Sequence, residues 1–191
     1  MIGELHAVDA VAPQRWRNGG GVTRELFTWP ESAPWNARVS VADIDADGAF
    51  SAFPGVERWF AVIEGCGVEL DFGDANQRLE QGDAPFRFDG ARAPMCRLLD
   101  GPTRDLNLML RDARGAMVPA VDHRPWSPAG EACALFAAVD GIVYAPDARE
   151  RVPARSLLVC TPPPATLRFA ADIDTGTIVG WWLQWSSGGR R

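Results

Sequence analysis

Glu57 to Phe72 reads ERWFAVIEGCGVELDF, two β-rich runs on either side of Glu64-Gly65-Cys66-Gly67. Aromatic and β-branched residues fill the first run, as a strand favours. In the second, Val68, Leu70 and Phe72 fall on one face and Glu69 and Asp71 on the other, the period-two signature of a half-buried strand. Glycines stand where a reversal of chain direction needs φ values closed to other residues. The stretch predicts a β-hairpin turning at Gly65–Gly67.

The same rhythm extends outward. In WNARVSVADI, Trp35, Ala37, Val39 and Val41 alternate with Arg38 and Ser40. TRDLNLML sets Leu106, Leu108 and Leu110 on one face and Asp105, Asn107 and Met109 on the other. Turn signals recur at Gly73-Asp74-Ala75-Asn76, Gln81-Gly82-Asp83, Asp89-Gly90 and Asp100-Gly101-Pro102. Beyond Gly115, ACALFAAVDGIVY reads as a strand pair around Asp140-Gly141, SLLVCTPPP as a strand stopped by prolines, and TIVGWWLQW as one further strand. Asp112 to Glu131 has the Pro and Gly content of a connector. With 19 Gly and 15 Pro in 191 residues, long helices have little room, and the pattern predicts an all-β sandwich or barrel.

Composition narrows the function classes. A net charge of −6 disfavours nucleic acid or an anionic membrane as a partner, while leaving room for a local cationic pocket. The longest apolar run, Ala132 to Val139, is too short to span a bilayer, and the first residues do not read as a signal peptide. Cys66, Cys96, Cys133 and Cys160 form no C-x-x-C pair. They read as reduced, buried thiols, with a disulfide framework as the alternative. The only histidines are His6 and His123, far apart and outside any zinc or triad motif, so no metal and no cofactor is expected. Trp126, Trp181 and Trp182 read as core or inter-barrel packing.

WRNGGGVTREL (Trp16 to Leu26) is not followed by the Lys-Ser/Thr of a P-loop. Its glycines read as a bulge or tight turn, or as a backbone nest for an anion. Together with WNARVSVADIDADGAFSAFPGVERWFAVIEGCGVEL, PFRFDG and CRLLDGPTRDLNLMLR, this stretch resembles the HutD/Ves family of bicupins. The resemblance covers about the first 111 residues in near-continuous order; the rest is similar only in strand rhythm. It implies an all-β fold of two fused cupin-like barrels with little helix, residues 1–114 forming the first and 115–191 the second. It also implies a cytoplasmic bacterial protein from a family associated, in some members, with histidine utilisation. Cupins usually carry two His and a Glu just before and within the V-I-E-G-x-G-x-x-L stretch. This chain has Phe50, Ser51, Phe53 and Arg58 there instead, a set better suited to a carboxylate or a planar polar molecule than to a divalent cation.

The candidate ligand-binding residues are therefore Asn18, Thr23, Glu25, Arg38, Ser40, Phe53, Arg58, Asp105 and Asn107. Arg38 and Arg58 would clamp a carboxylate; Ser40, Asp105 and Asn107 would orient polar atoms; Asn18, Thr23 and Glu25 would sit at the mouth of the first barrel. For Arg38 and Asp105 the competing reading is a structural ion pair, and for Arg58 it is stacking on an aromatic ring. Two functions of different class follow. One is a metal-independent module that senses or sequesters a small anionic metabolite, for which the family link suggests urocanate or N-formylglutamate. The other is a metal-free enzyme on a similar carboxylate, with Asp105 or Glu25 as general base. An adaptor working through surface contacts is the third and least supported, and a homodimer is left open.

Overall fold

The computed structural model describes residues 1–31, 34–173 and 177–188. Its described residues form β-strands and connections apart from one 3-10 turn, Val8–Ala10. After β1 (Glu4–Ala7), the strands to Asp112 are β2 (Gln14–Arg15), β3 (Gly21–Trp29), β4 (Ala37–Ile44), β5 (Gly48–Ala49), β6 (Val56–Glu64), β7 (Val68–Asp71), β8 (Asn76–Leu79), β9 (Phe86–Asp89), β10 (Met95–Leu98) and β11 (Thr103–Arg111). Then come β12 (Ala113–Val121), β13 (Pro125–Trp126), β14 (Ala132–Ala137), β15 (Gly141–Ala145), β16 (Ala148–Val152), β17 (Ser156–Cys160), β18 (Leu167–Ala171) and β19 (Ile178–Ser187).

Two units result, one made of residues 11–112 and one of residues 1–10 with 113–191. In the first, a six-stranded sheet in the order β2-β3-β4-β11-β6-β9 packs on a four-stranded sheet, β5-β10-β7-β8. Ile44, Phe60, Val62 and Phe88 from the larger sheet meet Val68, Leu70, Leu79 and Cys96 from the smaller. Each such large apolar side chain adds about 1.5–3 kcal/mol when fully buried. In the second unit the sheets are β1-β17-β14-β19-β12 and β13-β18-β15-β16, with Leu135, Leu158, Val143 and Phe169 in the shared core. Trp181 and Trp182 are buried, and Trp126 stacks on Trp182 with ring centroids 4.9 Å apart. Among the described residues no ladder joins the two sheets of either unit, so they are paired open sheets where closed barrels were expected.

Five expectations change at this level. The run through Gly65–Gly67 is not a hairpin: β6 pairs with β11 and β9, whereas β7 pairs with β10 and β8. The chain turns a corner there from one sheet to the other. Gly65 and Gly67 have φ of 91° and 105°, and a Cβ at Gly67 would collide with the Leu79 carbonyl. The Gly67 N–H donates to Thr103 Oγ1 at 3.1 Å, which fixes the corner against β11. Asp140-Gly141 is a second corner of this kind, since β14 and β15 lie in different sheets.

The supposed connector at Asp112–Glu131 contains β12, nine residues long and paired along β19 from Ala113↔Ser187 to Val121↔Ile178. The boundary also moves. Although residues 1–114 were read as one barrel, β1 pairs with β17 through Glu4↔Val159 to Ala7↔Ser156, so the first ten residues join the C-terminal unit. All four cysteines are free thiols, but Cys66, expected to be buried, is exposed at the first corner. His6 lies on β1 and His123 in a turn with φ of 58°. No described helix is long and apolar enough to cross a membrane.

Candidate functional site

Three central strands of the six-stranded sheet bring the polar residues into rows. Arg38, Met109 and Arg58 are partners across β4, β11 and β6; Ser40, Asn107 and Phe60 form the next row, and Ala42, Asp105 and Val62 the third. Directly paired residues project to the same side of a sheet. One face therefore carries both arginines, the serine, the asparagine and the aspartate, while Val39, Val41, Leu106 and Leu108 are fully buried on the other. β3 extends the polar face with Thr23 opposite Ala42 and Glu25 opposite Ser40.

This face walls a cavity of about 520 Å³. Of the residues expected from sequence, Asn18, Thr23, Arg38, Ser40, Phe53, Arg58, Asp105 and Asn107 all line it. Glu25 is not in the wall but holds part of it, accepting from Arg38 Nε at 2.6 Å. The alternative Arg38–Asp105 ion pair does not form, because Asp105 stands opposite Ala42, two rows along β4 from Arg38. Gln14, Arg15, Trp16, Arg17, Ala42, Ala49 and Met109 also line the cavity and were not singled out from sequence. Strand parity alone could have added Ala42 and Met109, which share a face with Ser40 and Asn107.

The Trp16–Gly21 loop forms one rim. Trp16 Nε1 donates to Thr23 Oγ1 at 2.7 Å, and Asn18 accepts from the Gly20 N–H at 3.1 Å while donating to the Ala49 carbonyl at 3.3 Å. A Cβ at Gly21 would collide with the Asp43 carbonyl and crowd the Trp16 ring. The glycine is there because two backbones and an indole converge on it, a packing role.

Arg58 and Asp105 dominate the electrostatics. Arg58 is 5% exposed, and its guanidinium lies 5.0 Å from the Phe88 ring, 5.2 Å from Phe50 and 5.7 Å from Phe53. The aromatic-stacking reading is thus part of its environment. Its Nη2 donates to Asn107 Oδ1 at 2.9 Å, and Asn107 Nδ2 donates to Asp105 Oδ1. Asn107 therefore bridges the two charges, and among the described residues no carboxylate pairs directly with Arg58. Arg58 Nε and Asp105 Oδ2 are buried with no hydrogen-bond partner. Such an atom costs about 1–3 kcal/mol.

Burial pulls the Arg58 guanidinium down to about 10, with Asp105 opposing and the Arg38 charge adding to the fall. Burial pushes the Asp105 carboxyl up to about 7, against the pull of Arg58 and the Asn107 hydrogen bond and with a further push from Asp43. On the other face of β4, Asp43 pairs with Arg24 at 2.6 Å and with Arg104. Burial raises its carboxyl, but these two arginines outweigh that and hold it below its ordinary range.

The cupin fold raises the question of a metal, and the donor set here does not fit one. The cavity wall holds four arginines and a single carboxylate, Asp105, with no His or Cys. Among the described residues no three His, Cys, Asp or Glu side chains are grouped to hold an ion. The guanidinium groups of the wall repel a cation.

The profile of the HutD family matches residues 8–177. The chain belongs to the HutD family. Protein Ves of Cronobacter sakazakii is 37% identical over 112 residues, 58% of this chain and 62% of that protein. An "uncharacterized 21.2 kDa protein in hutC 3′ region" of Pseudomonas putida is 36% identical over 110 residues, covering 52% and 53%. The matched stretch thus spans about three fifths or less of these relatives' length. A solved structure of HutD from Pseudomonas fluorescens SBW25 (formate condition) superposes with a TM-score of 0.76 at 25% identity, over 96% of this chain and 97% of that one. A conserved protein of Pseudomonas aeruginosa PAO1 gives 0.80 at 25% identity, over 96% and 98%. Bacillus subtilis oxalate decarboxylase gives 0.64 at 9% identity, over 100% of this chain and 79% of that chain, a likeness of cupin-like fold alone.

Proposed function

We propose that the cavity of the 11–112 unit binds a small organic carboxylate, and that this HutD-family protein acts as a metal-independent sensor or sequestering module for it. The observation that carries this reading is Arg58, a cation 5% exposed in the cavity wall that, among the described residues, has one hydrogen bond, to Asn107, and no carboxylate paired directly with it. A buried charge is retained only where something compensates it. The wall as a whole supports an anion: Arg15, Arg17, Arg38 and Arg58 face one acidic residue, in a chain whose net charge is −6. The aromatic rings of Trp16, Phe50 and Phe53 would cover a planar or short apolar body. The family's association with histidine utilisation makes urocanate and N-formylglutamate the first molecules to try. In the same reading each pair of sheets serves as a cupin-like barrel, two fused in one cytoplasmic chain.

A second reading, a metal-free enzyme on a similar carboxylate, draws on Asp105. Its carboxyl titrates near 7, where a general acid or base works best.

Isothermal titration calorimetry with urocanate and N-formylglutamate tests the first reading. Arg58→Leu should weaken binding by about 2–5 kcal/mol, and Arg38→Ala should weaken it in the same direction. Binding unchanged by both substitutions would leave these arginines as structure. NMR of the same mixtures over time separates the second reading, since turnover changes the ligand's spectrum and binding alone does not.

A further inference from the structure

We infer that the cavity takes up its carboxylate together with one proton, which Asp105 receives from solvent, so that the ligand is held between the Arg58 guanidinium and the carboxylic acid of Asp105. This rests on the carboxylate reading above and specifies the chemistry by which the site recognises its ligand.

The geometry makes Asp105 dependent on Arg58. Asp105 is 1% exposed, its Oδ1 is taken by Asn107, and its Oδ2 accepts nothing from the protein. The charged and titratable groups acting on it come from three other strands. Arg58 on β6 is the cation that favours its ionised form, and Asp43 on β4 opposes that form. Cys96 on β10 is a thiol pushed up to about 12 by burial and by the negative charges of Asp105 and Asp47. Arg38 on β4 already serves Glu25 of β3.

A ligand carboxylate that seats on Arg58 neutralises the cation that favours the ionised form of Asp105. It also sets a second negative charge beside a buried first one, and two carboxylates sharing a dry site cannot both stay ionised. The proton goes to the buried carboxylate, and Oδ2, otherwise an acceptor without a donor, becomes an O–H that donates to the ligand oxygen. Asp105 thereby selects for ligands that accept a hydrogen bond at that point. The ionised form of Asp105 excludes anions.

The test is calorimetric titration with N-formylglutamate and with acetate, neither of which titrates between about pH 6 and pH 9. Each is run in phosphate and in Tris, whose ionisation heats differ. Wild type should take up close to one proton per ligand above pH 7. Its affinity should be flat below about 7 and fall up to tenfold per pH unit above it. Asp105→Asn keeps the shape, supplies a donor without a proton, and should bind with no proton uptake and no pH dependence. Wild-type binding that is flat across the range with equal heats in both buffers overturns the inference while leaving the carboxylate reading standing. An equally steep pH dependence in Asp105→Asn overturns it too. No binding of either probe at any pH overturns the carboxylate reading itself.

Discussion

Replacing Asp105 with asparagine exchanges one oxygen for an amide nitrogen and removes one buried charge. The carboxyl ordinarily titrates at 3.8 and is pushed up to about 7 in the folded chain. Holding it ionised in the fold therefore costs about 4 kcal/mol relative to the unfolded chain. Below about pH 4 both states are protonated and the cost vanishes; above about pH 7 both are ionised and it is carried in full. Between these limits the folded state binds more protons than the unfolded one, so wild-type stability drops by up to about 1.4 kcal/mol for each unit rise in pH. Asp105→Asn lacks this titration.

The attraction of Arg58 for the ionised carboxylate is already contained in the value near 7. The guanidinium itself stays protonated from pH 5 to pH 8 because it titrates near 10, so it adds no slope of its own. Urea unfolding followed by tryptophan fluorescence at several pH values should show the variant gaining on wild type by about 2–4 kcal/mol between pH 5 and pH 7, then holding level. Parallel stability curves for the two proteins would mean that Asp105 titrates as an ordinary carboxylate, and the account of its burial would be wrong.

Three further outcomes are expected. Leu70→Ala empties a fully buried position between the two sheets of the 11–112 unit and should lower unfolding free energy by about 2–5 kcal/mol, read by the same urea titration; a loss below about 1 kcal/mol would contradict the packing. Gly21→Ala forces a methyl against the Asp43 carbonyl and the Trp16 ring, so the melting temperature should fall and the Trp16 fluorescence should change, and an unchanged melt would refute the close approach. With a thiol reagent such as dithionitrobenzoate, native protein should react at Cys66, the exposed cysteine, while Cys96, Cys133 and Cys160 react only after unfolding; mass spectrometry of the labelled peptides identifies the site.

Much of the site was legible because strand parity is a local property. Arg38 with Ser40, and Asp105 with Asn107, are two residues apart on strands whose intervening positions are apolar. Any sheet built from those strands puts each pair on one face. That both pairs meet across a single ladder, Ser40 opposite Asn107, is a matter of register, and register depends on partners far away in sequence. For the same reason the sequence does not reveal the partner of Arg38: Asp105 shares its face, but only the β3–β4 pairing brings Glu25 within 2.6 Å. The rim residues Gln14 to Arg17 carry no periodic signal at all, since β2 is two residues long, and tertiary folding alone brings them over the cavity.

The sequence by itself determined the all-β class, the family and the faces of the long strands. Alternation, turn residues and side-chain chemistry are written residue by residue and need no distant partner. Only the tertiary structure decided that the chain crosses between sheets at Gly65–Gly67 rather than folding back on itself. A corner and a hairpin ask the same glycines for the same positive φ. The fold likewise decided that β1 completes the unit of residues 113–191. It decided, too, that Asn107 stands between Arg58 and Asp105. Burial and pairing are set by which surfaces meet, and those surfaces come from strands tens of residues apart.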